Sequence, residues 1–205
     1  MEVLVNKASE EEILDHLENI IGLDPTDIVI RASQLIETKR EEAIAIIEEF
    51  DRSLGGIGIY SFQEKRILGV FRPLFYVKLG LTNPKVKDLT RFIIHSSCAY
   101  LEELLKKVVF SWPWEKMTPN RLPLGTLVNR YKKNLPAPLA GNLQWLSQKV
   151  YNFAKHNFNF ENETEEPENY FSTLEAISVY FICRKLGLEL ESLVGKSQED
   201  LQSEY

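Results

Sequence analysis

Apolar residues recur at three- and four-residue spacing along most of this chain, and no stretch alternates convincingly in the way a strand does. Ser9 and Glu12 have capping-box spacing ahead of Ile13, Leu17, Ile20 and Ile21, which predicts a first helix ending near Gly22. Asp24-Pro25 reads as N-cap and N1 of a second helix. Its stripe runs Ile28, Ala32, Leu35, Ile36, Ala43, Ile46, Ile47 and Phe50, with a polar patch at Thr38 to Glu42 that can split it in two. Gly56-Ile57-Gly58 reads as a loop or hinge, and lacks the spacing of a phosphate-binding glycine loop. Ser61 to Leu79 is apolar and helical in pattern, broken or kinked at Pro73. Asn83 and Pro84 are expected to open the next helix, lined by Val86, Leu89, Phe92, Ile93, Tyr100, Leu104 and Val108.

A proline-rich connector follows from Ser111 to Leu124, then a short helix from Leu124 to Leu135. Pro136 or Pro138 opens a helix whose apolar face is Leu139, Leu143, Leu146, Val150 and Ala154. In an unbroken α-helix, Trp145, Lys149, Asn152 and His156 fall within about 60° of one another on the opposite face. Tryptophan on that face predicts that it meets another helix, a second subunit or a ligand, so Trp145 is the candidate interface residue. An acidic loop is expected from Glu161 to Glu168, a last helix from about Tyr170 to Lys185 with Gly187 as its C-cap, and a polar tail from 196. The fold expected is an all-α bundle of about six to eight helices.

Charge divides the chain into three. Residues 1–54 hold 5 basic and 14 acidic side chains, residues 55–158 hold 16 and 5, and residues 159–205 hold 3 and 11. This predicts an acidic N-terminal helical arm, 1–54, and a basic-centred helical bundle, 55–205, packed together as one compact unit. The acidic ends are expected either to screen the basic centre or to steer an anionic partner toward it. The start of the chain has no basic, apolar signal pattern, and the stretch from Ile67 to Leu81 is too short for a bilayer and carries Arg72, Pro73 and Lys78. Cys98 and Cys183 lack metal-ligand spacing and read as reduced thiols of a cytoplasmic protein. His16, His95 and His156 are scattered without ligand spacing, so neither a metal nor another cofactor is expected. His95 shares a helix face with Arg91, Glu102 and Lys106, which reads as a solvated side.

Basic residues are densest from Lys106 to Lys133, where Lys116, Arg121, Arg130, Lys132 and Lys133 are interleaved with Trp112, Trp114 and Tyr131. Cations beside aromatic rings are what single-stranded nucleic acid binds, through phosphate contacts and base stacking. The same tryptophans equally suit a loop pinning itself onto the bundle.

Tyr151-Asn152-Phe153-Ala154-Lys155-His156 comes closest to chemistry. Asn152 and His156 resemble the polar residue and histidine of the HEPN superfamily motif, and Tyr151 stands where that motif has arginine. Arg91 to Lys107 resembles the long helix that precedes the motif, and the likeness covers roughly residues 84–186. It implies a helical, HEPN-like core and often a nucleic-acid-directed protein. Active members are metal-independent ribonucleases, as in toxin–antitoxin and phage-defence systems, often with a site shared across a dimer. The resemblance assigns proton transfer to His156, with Asn152 beside it. On the α-helical wheel Lys149 is the cation on that face, though a point charge rather than a fork. The expected protein is a noncatalytic binding or regulatory domain, homodimeric, with RNA or another protein as partner. The alternatives are such a ribonuclease, or an interaction domain with no nucleic-acid role.

Overall fold

The computed structural model describes residues 6–22, 24–55, 71–83, 85–86, 88–112, 122–156 and 171–194. Those residues form an all-α bundle without strands. In chain order the helices are α1 (Glu10–Ile21), α2 (Thr26–Leu35), α3 (Arg40–Ser53), α4 (Arg72–Thr82), α5 (Leu89–Ser111), α6 (Leu124–Tyr131), α7 (Ala137–Leu146), α8 (Asn152–His156) and α9 (Thr173–Ser192). A 3₁₀ turn (Lys132–Asn134) follows α6. A π-turn (Ser147–Tyr151) joins α7 to α8 without a break, so the run from Ala137 to His156 is one continuous helix. No helix among the described residues is long and apolar enough to cross a membrane.

Two long helices, α5 and α9, form the centre, and both are apolar on nearly every side. Helix α1 lies along α9, α2 touches both α3 and α9, and α4 packs between α3 and α5. The shorter α6, α7 and π-turn complete the bundle on the other side of α5.

Local signals explain several boundaries. Ser9 caps α1 by accepting the Glu12 N–H at 3.1 Å, and Gly22 ends it in the left-handed conformation, φ 71°. The polar patch does split the second helix, at residues 36–39 between α2 and α3. Pro73 lies in the first turn of α4, where its missing N–H costs nothing, and the expected stretch before residue 71 lies outside the described residues. Two expectations need correction. Asn83 is the C-cap of α4, and α5 begins at Leu89 because the Asp88 side chain takes the Arg91 N–H at 3.1 Å. Gly187 lies inside α9, where a Cβ would come within 2.4 Å of the Tyr100 ring, so it serves close helix packing and not a cap. Helix α9 starts instead with a complete capping box, Ser172 and Glu175.

The core holds an ion pair that apolar periodicity does not reveal. Arg184 of α9 donates through Nε to Asp51 of α3 at 2.7 Å, and both are buried. Arg184 also donates to the Tyr100 hydroxyl at 3.3 Å, Tyr180 donates to Asp51 at 3.3 Å, and Tyr100 donates to Glu191 at 3.0 Å. The second oxygen of Asp51 has no hydrogen-bond partner. Burial pushes the Asp51 carboxyl above the usual carboxylate range, against the pull of Arg184. Nearby in α5 and α9, the thiols of Cys98 and Cys183 lie 4.0 Å apart, free and buried.

Candidate functional site

The helix that carries the motif is assembled from two unequal faces. Leu139, Leu143, Leu146, Val150 and Ala154 are all buried, as the α-helical stripe predicts. Ser147 and Tyr151 are buried as well. In an α-helix Leu146, Ser147, Val150 and Tyr151 would span about 140°, with Tyr151 at the edge of the buried stripe. Between Ser147 and Tyr151 the backbone bonds i to i+5, and the Asn152 N–H donates to the Ser147 carbonyl. That one extra residue per turn sets everything downstream back by about 100° relative to α-helical winding. Tyr151 thereby turns into the core, and the four-residue face expected of Trp145, Lys149, Asn152 and His156 is broken.

Tyr151, at the position of the motif arginine, is 3% exposed. Its ring meets His95 of α5 edge-on at 5.6 Å between centroids, and Lys155 Nζ lies 3.9 Å from the ring centroid on its face. Burial raises the Tyr151 hydroxyl pKa, so it is a neutral phenol and carries no charge toward a phosphate.

Within the stripe read as solvated, His95 is exposed and Lys106 pairs along its own helix with Glu102, but Arg91 and Glu102 reach neighbouring elements. Arg91 donates from Nε to the Ala154 carbonyl at 2.7 Å and from a terminal nitrogen to the Lys155 carbonyl at 3.2 Å. A guanidinium thus caps the C-terminal end of α8, where the helix dipole favours positive charge. Glu102 accepts from Lys106 at 2.9 Å, lies 3.6 Å from Lys155, and takes the Leu124 N–H at 3.0 Å. It caps α6 from outside, because Pro123 offers no side-chain cap. His95 remains exposed on one side. Desolvation, with Lys155 and Arg91 adding to it, lowers its pKa below the usual value. Sequence reasoning missed these residues as site members. The available signal was a regular charged stripe on a helix otherwise apolar enough to be surrounded.

Nothing matches the chain: no family model, no curated protein and no solved structure.

The remaining candidates are dispersed. Asn152 is exposed, Lys149 half-buried, and His156 ends α8 with a side chain outside the described residues. Trp145 is engaged within its own chain: its ring stacks on His16 of α1 at 3.7 Å with planes 8° apart, and its Nε1 donates to Glu12 at 2.8 Å. Glu12 therefore serves the tryptophan. Trp112 is buried, 1% exposed, and packs edge-on against Tyr131, so it presents no open face to a base. Trp114, Lys116 and Arg121 lie outside the described residues. Arg130, Lys132 and Lys133 are exposed at the end of α6 and in the 3₁₀ turn. The described residues contain no group of three metal-ligating side chains suited to a metal ion.

Proposed function

We propose that this is a noncatalytic helical binding or regulatory protein, HEPN-like in descent, whose partner is RNA or a similar polyanion. The observation that carries the reading is the burial of Tyr151 where an active motif needs a cation facing the phosphate. Arg91 does not replace it at that point, because two of its donors hold the end of α8. Binding is assigned to the exposed cations Arg130, Lys132 and Lys133, grouped at the end of α6 and in the 3₁₀ turn. A homodimer belongs to the same reading. Among the described residues, exposed Tyr76 and Leu79 on α4, Phe110 on α5 and Val194 are large apolar side chains open to cover, since Trp145 is already stacked in its own chain.

Purified protein titrated with labelled single-stranded RNA in EDTA tests this. Binding that weakens as salt rises, and weakens further when Arg130, Lys132 and Lys133 are changed to Gln, is the expected result. Absence of binding at low salt overturns it. A second reading, metal-independent ribonuclease, has one observation in its favour: the exposed His95 imidazole, of lowered pKa, stands beside Lys155 and Arg91. Cleavage in the same mixture, lost in His95→Ala or His156→Ala, would establish that reading instead.

A further inference from the structure

The N-terminal segment touches the motif helix at its one irregular turn. Ala8, fully buried, donates its backbone N–H to the carbonyl of Lys149, in the middle of the π-turn, at 2.9 Å. A backbone donor from outside the helix thus reaches a carbonyl inside the turn that departs from i to i+4 bonding. Five further contacts hold the same segment down. Lys7 pairs with Glu175 at 2.6 Å and stands 4.4 Å from the Phe171 ring centroid. The Ser172 hydroxyl donates to Glu10 at 2.9 Å. Trp145, two residues before the π-turn, is bonded by Glu12 and stacked by His16. From the other side Gly125 of α6 approaches so closely that a Cβ there would come within 2.6 Å of the Ser147 hydroxyl.

We propose that residues 7–16 form a strap that sets the winding of the motif helix. While it is docked, Ala8 stabilises the π-turn and Tyr151 is turned inward against His95. When it leaves, the Lys149 carbonyl loses its donor, the turn rewinds to α, and everything from Tyr151 onward advances by about 100°. Rewinding brings Asn152 round to the side of Lys149 and Trp145, and departure of His16 and Glu12 uncovers the tryptophan at the same time. One strap thus conceals a composite face of ring, cation and amide by two coupled means, covering and rotation. This device does not depend on the RNA-binding reading, because its observations concern a different face and its test uses no ligand.

Full-length Lys7→Met/Ala8→Pro removes the buried ion pair and the backbone donor together. The indole N–H resonance of Trp145 reports strap release, the Tyr151–His95 ring contact is followed by nuclear Overhauser effects, and backbone winding by amide exchange. Expected are a released strap, a lost ring contact, and exchange of amides 150–154 about tenfold faster in a molecule that remains folded. Deleting the exposed Gln148 from that variant takes out the extra residue. The turn can then be α-wound with both ends in their present places, so the Tyr151–His95 contact should return without the strap. Persistence of that contact after strap release overturns the proposal. So does a strap that stays docked in the double variant, unfolding of the whole molecule with the strap, or failure of the Gln148 deletion to restore the contact.

Discussion

Two polar clusters hold this bundle, and they differ in where water is. The Asp51–Arg184 pair, with Tyr100 and Tyr180, is sealed between α3, α5 and α9. The Glu102 cluster, with Lys106, Lys155 and Glu103, sits at the edge of α5 and keeps contact with solvent, Glu103 being 45% exposed. In the first, each charge depends on the other because neither has water to fall back on. In the second, water substitutes for a missing partner, and what matters is the work done on neighbouring backbone: capping α6 and placing Lys155 over Tyr151. Candidate chemistry lies at the second. The structural cost of removing a charge lies at the first.

Breaking the first cluster should have the largest effect. Arg184→Ala leaves Asp51 buried and unpaired, and is expected to lower the unfolding free energy by about 3–5 kcal/mol in urea titration. Removing Asp51 as well should restore part of that loss, since the uncompensated charge goes with it. Next comes Gly187→Ala, which forces a methyl into the Tyr100 ring that Arg184 and Glu191 hold in place; about 1–3 kcal/mol of stability should be lost. Glu102→Ala should cost less, about 1–2 kcal/mol, chiefly through the uncapped Leu124 N–H. Its local signature is faster amide exchange at the start of α6. If Glu102→Ala proved as damaging as Arg184→Ala, the contrast between the clusters would fail.

The smallest effect expected is one of pH. His95 has a folded pKa below its ordinary value, so the folded state binds fewer protons than the unfolded one through the acid side of neutrality. Its contribution is therefore fully present above the unfolded imidazole pKa, about 6.5, and is lost as pH falls through the folded value. His95→Gln should flatten the decline of stability below about pH 6.5 relative to the parent, in melts run across that range.

Periodicity carried the fold a long way. The all-α class, the first helix with its Ser9 cap and Gly22 stop, the split between α2 and α3, and the buried stripe of the motif helix were all legible, because each follows from local spacing. Boundaries set by competition between neighbours were not. Asn83-Pro84 is a good helix start in isolation, but Asp88 is better placed to cap α5. Gly187 looks like a stop signal, and only the tertiary approach of Tyr100 explains a glycine inside α9. The candidate site suffered from one hidden assumption, a uniform 100° per residue. No spacing rule announces a π-turn; here it coincides with a backbone donor, Ala8, remote in sequence. Arg91 and Glu102 were in view as a charged stripe, but their partners are main-chain groups of α6 and α8, which no side-chain pattern encodes.

The central claim is that the motif helix is a packed junction of a binding protein and not a working nuclease centre. Prolonged incubation of the full-length protein with labelled single-stranded RNA in EDTA, at protein excess, tests it most directly. The account predicts salt-sensitive retention of intact RNA. Cleavage that vanishes in His156→Ala while the fold and RNA retention persist would contradict it.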